Sequence, residues 1–100
     1  MSEVREMEWI EVSKLKPSSR NARTHTAKQI DQIARSIDAF GFANPIIMDG
    51  EGIVVAGHGR LAAAKKLGLA KVPVIALRDL SKTQIQAYAL ADNKIALNAG

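Results

Sequence analysis

The sequence predicts an α+β domain in which about three helices pack against a small mixed β-sheet. Two capping boxes, at Thr26 and at Ser81, mark the starts of helices. Apolar runs of strand length lie between the helical segments, and the approximate order is β-loop-α-β-β-α-β-α. The chain has 100 residues, of which 47% are hydrophobic and 24% charged, a balance typical of one globular domain.

The N-terminal part predicts a short strand followed by a basic loop. In residues 9–12, Ile10 and Val12 share one face, and charged neighbours lie on the other. Residues 16–23 are polar and basic and include a proline and two serines, which favours a loop. We expect residues 1–8 to form a flexible segment ahead of the domain.

The first helix is predicted to begin after Thr26, because Gln29 stands at the spacing of a capping box. Its apolar side chains recur at i, i+3, i+4, i+7 and i+10 and form one stripe for packing. They are Ile30, Ile33, Ala34, Ile37 and Phe40. Gly41 is predicted to end the helix as a left-handed cap residue.

A β-hairpin and a second helix are predicted next. Residues 45–48 and 53–56 are apolar, and the D-G-E-G sequence between them supplies the glycines of a turn. Residues 57–59 interrupt the second strand. An Ala-rich helix is predicted from Arg60 until Gly68 ends it.

The C-terminal part predicts one more strand and one more helix. In residues 72–77, Pro73 indicates an edge position or the beginning of a strand. The capping box at Ser81 starts a helix that runs to about Leu97. This helix reaches the chain end without a clear stop signal, so we expect residues 98–100 to be the tail of a longer protein.

Composition excludes several classes of protein. No apolar run approaches the roughly 18–20 residues that cross a bilayer, and the polar start lacks the apolar segment of a secretory signal. There is no cysteine, which excludes disulfides, thiolate metal sites and thiol catalysis. We therefore expect a cytoplasmic domain that spans residues 9–97.

The charge distribution favours a polyanionic partner. The formal net charge is +4, and the excess lies in residues 51–100, which carry seven basic and three acidic side chains. A nucleic acid or a nucleotide would suit this bias, although many soluble domains are as basic. The candidate DNA-binding side chains are Arg20, Arg23, Lys65 and Lys66.

The stretch from Ile53 to Arg60 is the most informative candidate site. A buried strand enters a glycine turn and leaves through a helix N-terminus, where Gly57 and Gly59 allow backbone N–H groups to converge on a ligand. Arg60 adds a planar group suited to phosphate. The spacing matches neither a Walker A loop nor G-x-G-x-x-G. The alternative is a plain tight turn with Arg60 in solvent.

Three further side chains have the chemistry of a phosphate site. His58 in the glycine turn is able to donate to a phosphate or to act as an acid or base, and the alternative is polar filler. Asp92 and Asn93 offer adjacent oxygens that suit Mg²⁺ beside bound phosphates. The alternative for this pair is a solvated helix face.

Residues 53–64, I-V-V-A-G-H-G-R-L-A-A-A, resemble the central motif of the ParB/sulfiredoxin-like superfamily, which reads approximately G-E-R-R-x-R-A after a hydrophobic strand. Other segments resemble the family's boxes in the same order along the chain: Asn21–Arg23, Ser36–Ile46, Val72–Val74 and Ala89–Asn93. The G-H-G-R spelling in particular resembles ParB-like domains at the front of phage and bacterial DNA modification methyltransferases.

This resemblance implies the ParB N-terminal domain/sulfiredoxin-like fold. It also implies a nucleotide-binding module of a DNA-associated protein, in a DNA modification or partition context. Gly57, Gly59 and Arg60 would bind the phosphates of a nucleoside triphosphate, CTP or ATP, with Arg23 as a supporting cation. His58 and Gly59 stand where partition proteins have Glu and Arg, so the choice of nucleotide and its hydrolysis stay open.

The resemblance extends to the metal and to the partners. It implies that Asp92 with Asn93 lies near Mg²⁺. The implied partners are DNA, a downstream methyltransferase or helix-turn-helix domain, and a second copy of the chain. No membrane partner is expected.

Two alternatives stand beside the binding module. One is a weak nucleoside triphosphatase or nuclease with His58 or Asp92 near the attacking water, although no carboxylate cluster suits two metals. The other is a non-catalytic adaptor for a methyltransferase. Sulfiredoxin chemistry is excluded, because that branch has a cysteine where this chain has His58.

Overall fold

The computed structural model describes residues 5–18 and 25–99, with side chains as far as Asp92. The elements follow in this order: β1 Glu8–Glu11, a 3₁₀ turn Val12–Lys14, β2 Lys16–Pro17, α1 Ala27–Phe40, β3 Ile46–Asp49, β4 Ile53–Ala56, α2 His58–Leu67, β5 Lys71–Leu77 and α3 Lys82–Ala99. The predicted α+β class and the order of its main elements are confirmed. Within the described chain, no helix has the length and apolar character needed to cross a membrane.

The five strands form one mixed sheet in the order β1-β5-β3-β4-β2. The pairs β1/β5 and β3/β4 are antiparallel, whereas β3/β5 and β2/β4 are parallel. Because β5 lies inside the sheet, the edge position indicated by Pro73 is wrong. The ladder with β3 begins only at Val74, so Pro73 has a strand neighbour on the β1 side alone.

Strand β2 was expected to be part of a loop, and this expectation is wrong. Lys16 and Pro17 pair in parallel with Ile53 and Val54, and the Lys16 N–H donates to the carbonyl oxygen of Gly52 at 2.9 Å. A strand of two residues is too short to show the alternation of apolar and polar side chains that identifies strands in a sequence. This strand forms because it pairs with β4.

The core lies between the sheet and α2. Four β-branched side chains from three neighbouring strands are completely buried, namely Ile46, Val54, Val72 and Val74. Helix α2 packs Leu61 and Ala64 against them. Each buried side chain of this size contributes roughly 1.5–3 kcal/mol, and the small alanine allows the helix to approach the sheet closely.

Helix α1 begins after Thr26 and ends at Gly41, as predicted, but the backbone conformation at Gly41 differs from the expected one. Thr26 Oγ1 accepts from the Gln29 N–H at 3.1 Å, and Gln29 Oε1 accepts from the Thr26 N–H at 3.0 Å, which confirms the capping box. Gly41 ends the helix with φ 82° and ψ 174°. Its φ is positive but its ψ is extended, so the expected left-handed cap conformation is wrong.

The N-terminal segment is joined to the turn after β5 by two exposed ion pairs. Arg78 Nη1 lies 2.5 Å from Glu8 Oε2, and Arg5 Nη1 lies 2.6 Å from Asp79 Oδ1. Hydrogen bonding to Arg78 lowers the pKa of Glu8. The described chain therefore contacts the domain from residue 5 onward.

Replacing Thr26 with Ala should destabilise the domain by about 1 kcal/mol, because the Gln29 N–H loses its acceptor at the start of α1. Thr26→Ser keeps the oxygen and should cost much less. Urea denaturation followed by circular dichroism measures both. Equal losses for the two variants would contradict the capping role.

Candidate functional site

The junction of β4 and α2 turns at Gly57. This residue has φ 97° and ψ 26°, in the left-handed region that favours glycine. Helix α2 begins at His58, not at Arg60 as predicted, so Gly59 lies inside the first helical turn. The Leu61 N–H donates to the Gly57 carbonyl oxygen at 2.9 Å. The amides of residues 58–60 thus form the positive end of the helix, and no side chain caps it.

Gly57 also allows two groups to approach the turn closely. A Cβ at this position would lie 3.3 Å from the Ile46 Cα and 3.0 Å from Arg60 Nη1. The same Nη1 lies 3.5 Å from the carbonyl oxygen of Pro45. The guanidinium therefore folds back over the glycine turn instead of extending into solvent.

Gly59 has a packing role. A Cβ there would lie 2.8 Å from Ile33 Cδ1 and 2.9 Å from His25 Nε2. Such distances are too short for real contacts, so a side chain at position 59 would displace the ends of the Ile33 and His25 side chains. Gly57 differs, because its φ is positive and a Cβ there would meet the backbone of β3.

His58 is half-buried, and its Nε2 accepts a hydrogen bond from the Ser18 backbone N–H at 3.2 Å. An accepting Nε2 carries no proton, so the neutral ring is protonated at Nδ1. Burial lowers the pKa of His58, and the nearby charge of His25 lowers it further. Nε2 is thus engaged with the backbone.

A cavity of about 440 Å³ opens beside this junction. One wall is apolar, and four of its side chains are Ile33, Ile37, Phe40 and Phe42. The polar side chains that line it are His25, Ser36, Asn44, His58, Arg60 and Asp92. The glycine turn therefore faces an open space that is lined by both apolar and charged side chains.

Helix α3 contributes Asp92 to the lining of the cavity. Burial raises the pKa of Tyr88, the charge of Asp92 raises it further, and the charge of Arg60 opposes both. These three side chains lie within electrostatic reach of one another. A cation and a carboxylate thus meet at the same cavity from two different helices.

The model of the ParB N-terminal domain family matches residues 1–94. The chain belongs to this family. The ParB-like nuclease domain-containing protein YnaK of Escherichia coli K12 is 42% identical over 86 residues, which cover 86% of this chain and 99% of that protein. The probable chromosome 2-partitioning protein ParB of Deinococcus radiodurans is 35% identical over 97 residues, covering 93% of this chain and 33% of that protein. The domain thus spans about a third of that partition protein.

Solved structures share the fold of this ParB N-terminal domain. The C-terminally truncated chromosome-partitioning protein ParB from Caulobacter crescentus, complexed with CTP-γ-S, has a TM-score of 0.78 at 24% identity, over 88% of this chain and 52% of that chain. A free serine kinase in complex with AMP has a TM-score of 0.64 at 28% identity, over 81% and 34%. Sulfiredoxin from Arabidopsis thaliana has a TM-score of 0.68 at 20% identity, over 85% and 97%, which confirms the expected sulfiredoxin-like fold.

The ParB N-terminal domain brings most of the sequence-predicted phosphate residues together. Gly57, His58, Gly59 and Arg60 line the cavity, and Asp92 joins them from α3. The two loop arginines, Arg20 and Arg23, lie outside the described residues, as does the side chain of Asn93.

The two lysines proposed for DNA lie near the other end of α2. Lys65 and Lys66 are both exposed, and the Lys66 ammonium pairs with the Asp31 carboxylate of α1. Exposed pairs of this kind are weak, so Lys66 retains its ability to exchange partners. Neither lysine lines the cavity of this ParB domain.

Sequence reasoning missed the cavity lining contributed by Ser36, Phe42 and Asn44. The signal for these residues is the segment from Ser36 to Ile46, which resembles a box of the family. The resemblance alone did not indicate that this segment lines a site. Its position beside the glycine turn follows from how α1 leads into β3 in the ParB fold.

Gly57→Ala should destabilise the ParB domain more than Gly68→Ala does. Gly68 has φ 73° and ψ 27°, and a Cβ there meets nothing within 4 Å, so it measures the left-handed backbone cost alone, roughly 1–2 kcal/mol. Gly57→Ala adds the contact with Ile46. Urea denaturation of both variants tests this difference, and equal losses would contradict close packing at position 57.

Proposed function

We propose that this domain binds the phosphates of a nucleoside triphosphate at the β4–α2 junction, as a module of a DNA-associated protein. The observation that carries the proposal is the cavity itself. It joins a helix N-terminus, the Arg60 guanidinium and an apolar wall in one space. That combination suits a ligand with an anionic end and a flat, weakly polar end.

The anionic end would lie against the first turn of α2. The backbone amides of residues 58–60 and the helix dipole favour negative charge there. The folded-back position of Arg60 brings its guanidinium N–H donors to the same place, and one of them already donates to the Pro45 carbonyl oxygen. We propose Arg23 as a supporting cation from the preceding loop.

The nucleoside would occupy the apolar side. A volume of about 440 Å³ lies within the range of roughly 300–1,000 Å³ usual for small-molecule sites. Ser36 and Asn44 are polar groups of that lining and suit a sugar or a base edge. Two of the structural relatives are in complex with nucleotides, CTP-γ-S and AMP, which supports a nucleotide as the ligand.

Magnesium fits this site only together with the phosphates. Among the residues that the structure describes, no group of three or more His, Asp or Glu side chains could hold a metal. Mg²⁺ is commonly bound by one or two carboxylates plus substrate phosphates. We propose Asp92, assisted by Asn93, as the protein side of such a site.

Arg60→Ala should weaken binding of CTP or ATP by about ten- to a hundredfold, because a charge-assisted hydrogen bond contributes roughly 1.5–3 kcal/mol. Titration of fluorescent nucleotides with and without Mg²⁺ measures this loss. Lys65→Ala is the matched control, since Lys65 is a cation of the same helix that does not line the cavity. No binding by the wild type at millimolar nucleotide would refute the proposal, as would an Arg60→Ala variant that binds equally well.

The DNA-associated context rests on charge and on family membership. If the domain itself contacts DNA through Lys65 and Lys66, affinity should fall steeply with salt, by a log–log slope of about −0.9 per phosphate contacted. Replacing both lysines with Ala should reduce the magnitude of that slope by the equivalent of about two phosphate contacts. Fluorescence anisotropy at several salt concentrations measures it, and an unchanged slope would exclude this surface.

Hydrolysis with His58 as the base gains no support from the geometry, because His58 Nε2 already accepts from Ser18. The role of adaptor for a downstream methyltransferase stays a proposal that the flanking reading frame can test.

A further inference from the structure

The segment between β2 and α1 touches the first turn of α2 at both of its ends. At one end the Ser18 N–H donates to His58 Nε2 at 3.2 Å. At the other end His25 Nε2 lies 2.9 Å from the place a Gly59 Cβ would occupy. His58 and Gly59, which are consecutive in α2, thus contact the two ends of this segment, which we call the connection.

These contacts explain the H-G pair in the G-H-G-R sequence. A histidine at position 58 provides a ring nitrogen that can accept from a backbone amide. A glycine at position 59 leaves the space that His25 and Ile33 fill. Both features serve the attachment of the connection to α2 and leave the backbone amides of the turn for a ligand.

We propose that His58 is a positioning residue for the nucleotide site: its neutral imidazole fastens the Ser18 end of the connection to the phosphate-binding turn. This role rests on the proposed function. In this role His58 acts by holding Ser18 against the first turn of α2, and its Nε2 is engaged with the Ser18 N–H. Nucleotide affinity therefore depends on whether Nε2 of His58 carries a proton.

Protonation breaks this arrangement. A charged imidazole has N–H groups at both ring nitrogens. The N–H at Nε2 then points at the Ser18 N–H, and two donors cannot form a hydrogen bond with each other. Half-burial disfavours the charged form. The other titratable groups that line the cavity are His25 before α1, Arg60 on α2 itself and Asp92 on α3.

Nucleotide titrations between pH 5 and 8 test the role directly. His58→Ala should weaken CTP or ATP binding several-fold at pH 7.5, because one hydrogen bond is lost. His58→Gln places an amide oxygen where Nε2 stood and should retain most of the affinity. Wild-type affinity should fall below about pH 6.5 more steeply than that of His58→Gln. The titration of the triphosphate is common to both proteins and cancels in the comparison.

Two measurements without nucleotide separate this role from the proposed function. Nitrogen NMR of the imidazole should find His58 Nε2 unprotonated and Nδ1 protonated at pH 7.5. Hydrogen exchange at the Ser18 amide should be slow in the wild type and in His58→Gln and faster in His58→Ala. Ser18→Pro removes the donor and should weaken nucleotide binding as His58→Ala does, with no added loss in the double variant. Ser18→Ala keeps the N–H and serves as its control.

Stability gives an independent readout. The folded-state pKa of His58 lies below its ordinary value, so its contribution is fully present above about pH 6.5 and is lost as the pH falls towards the folded-state pKa. The free energy of unfolding of the wild type should therefore decrease over this range relative to that of His58→Gln.

The outcomes distinguish the two proposals. A protonated Nε2 at pH 7.5, or a His58→Ala variant that binds nucleotide as tightly as the wild type, overturns the positioning role and leaves the phosphate site standing. If the wild type binds no nucleotide at all, the proposed function fails. Slow Ser18 exchange that depends on residue 58 would still support His58 as the residue that fastens the connection.

Discussion

The lack of a side chain at two positions determines how closely the rest of the molecule approaches the first turn of α2. At Gly57 the backbone of β3 and the Arg60 guanidinium come within contact distance, and at Gly59 the side chains of Ile33 and His25 do so. A Cβ at Gly57 would press on the backbone of β3, and one at Gly59 would displace the ends of the two side chains. This close approach determines the shape of the cavity and the position of Arg60 in its lining. It also determines how α1 packs against α2.

Local signals predicted the fold well. The capping boxes at Thr26 and Ser81 and the glycine end of α2 at Gly68 depend on neighbours within a few residues, and each is present in the structure. The errors concern partners that are distant in sequence. Strand β2 forms because it pairs with β4. Pro73 lies inside the sheet because β5, the strand that contains it, pairs with β1 as well as with β3.

The site was predicted in part for the same reason. Residues 57–60 are contiguous, so a pattern could identify them together. Asp92 was connected to them only through the family resemblance, since α3 brings it to the cavity. The bond between Ser18 and His58 could not be predicted, because it requires the parallel pairing that sets β2 beside β4.

Phe40 is 83% exposed although it lines the cavity. An exposed aromatic ring in the lining of a cavity is covered when an occupant reaches it. Covering apolar surface lowers the heat capacity of the complex, so the enthalpy of association becomes more favourable as the temperature rises. Calorimetry across a range of temperatures would therefore reveal which occupants extend as far as this ring and which stop at the charged end.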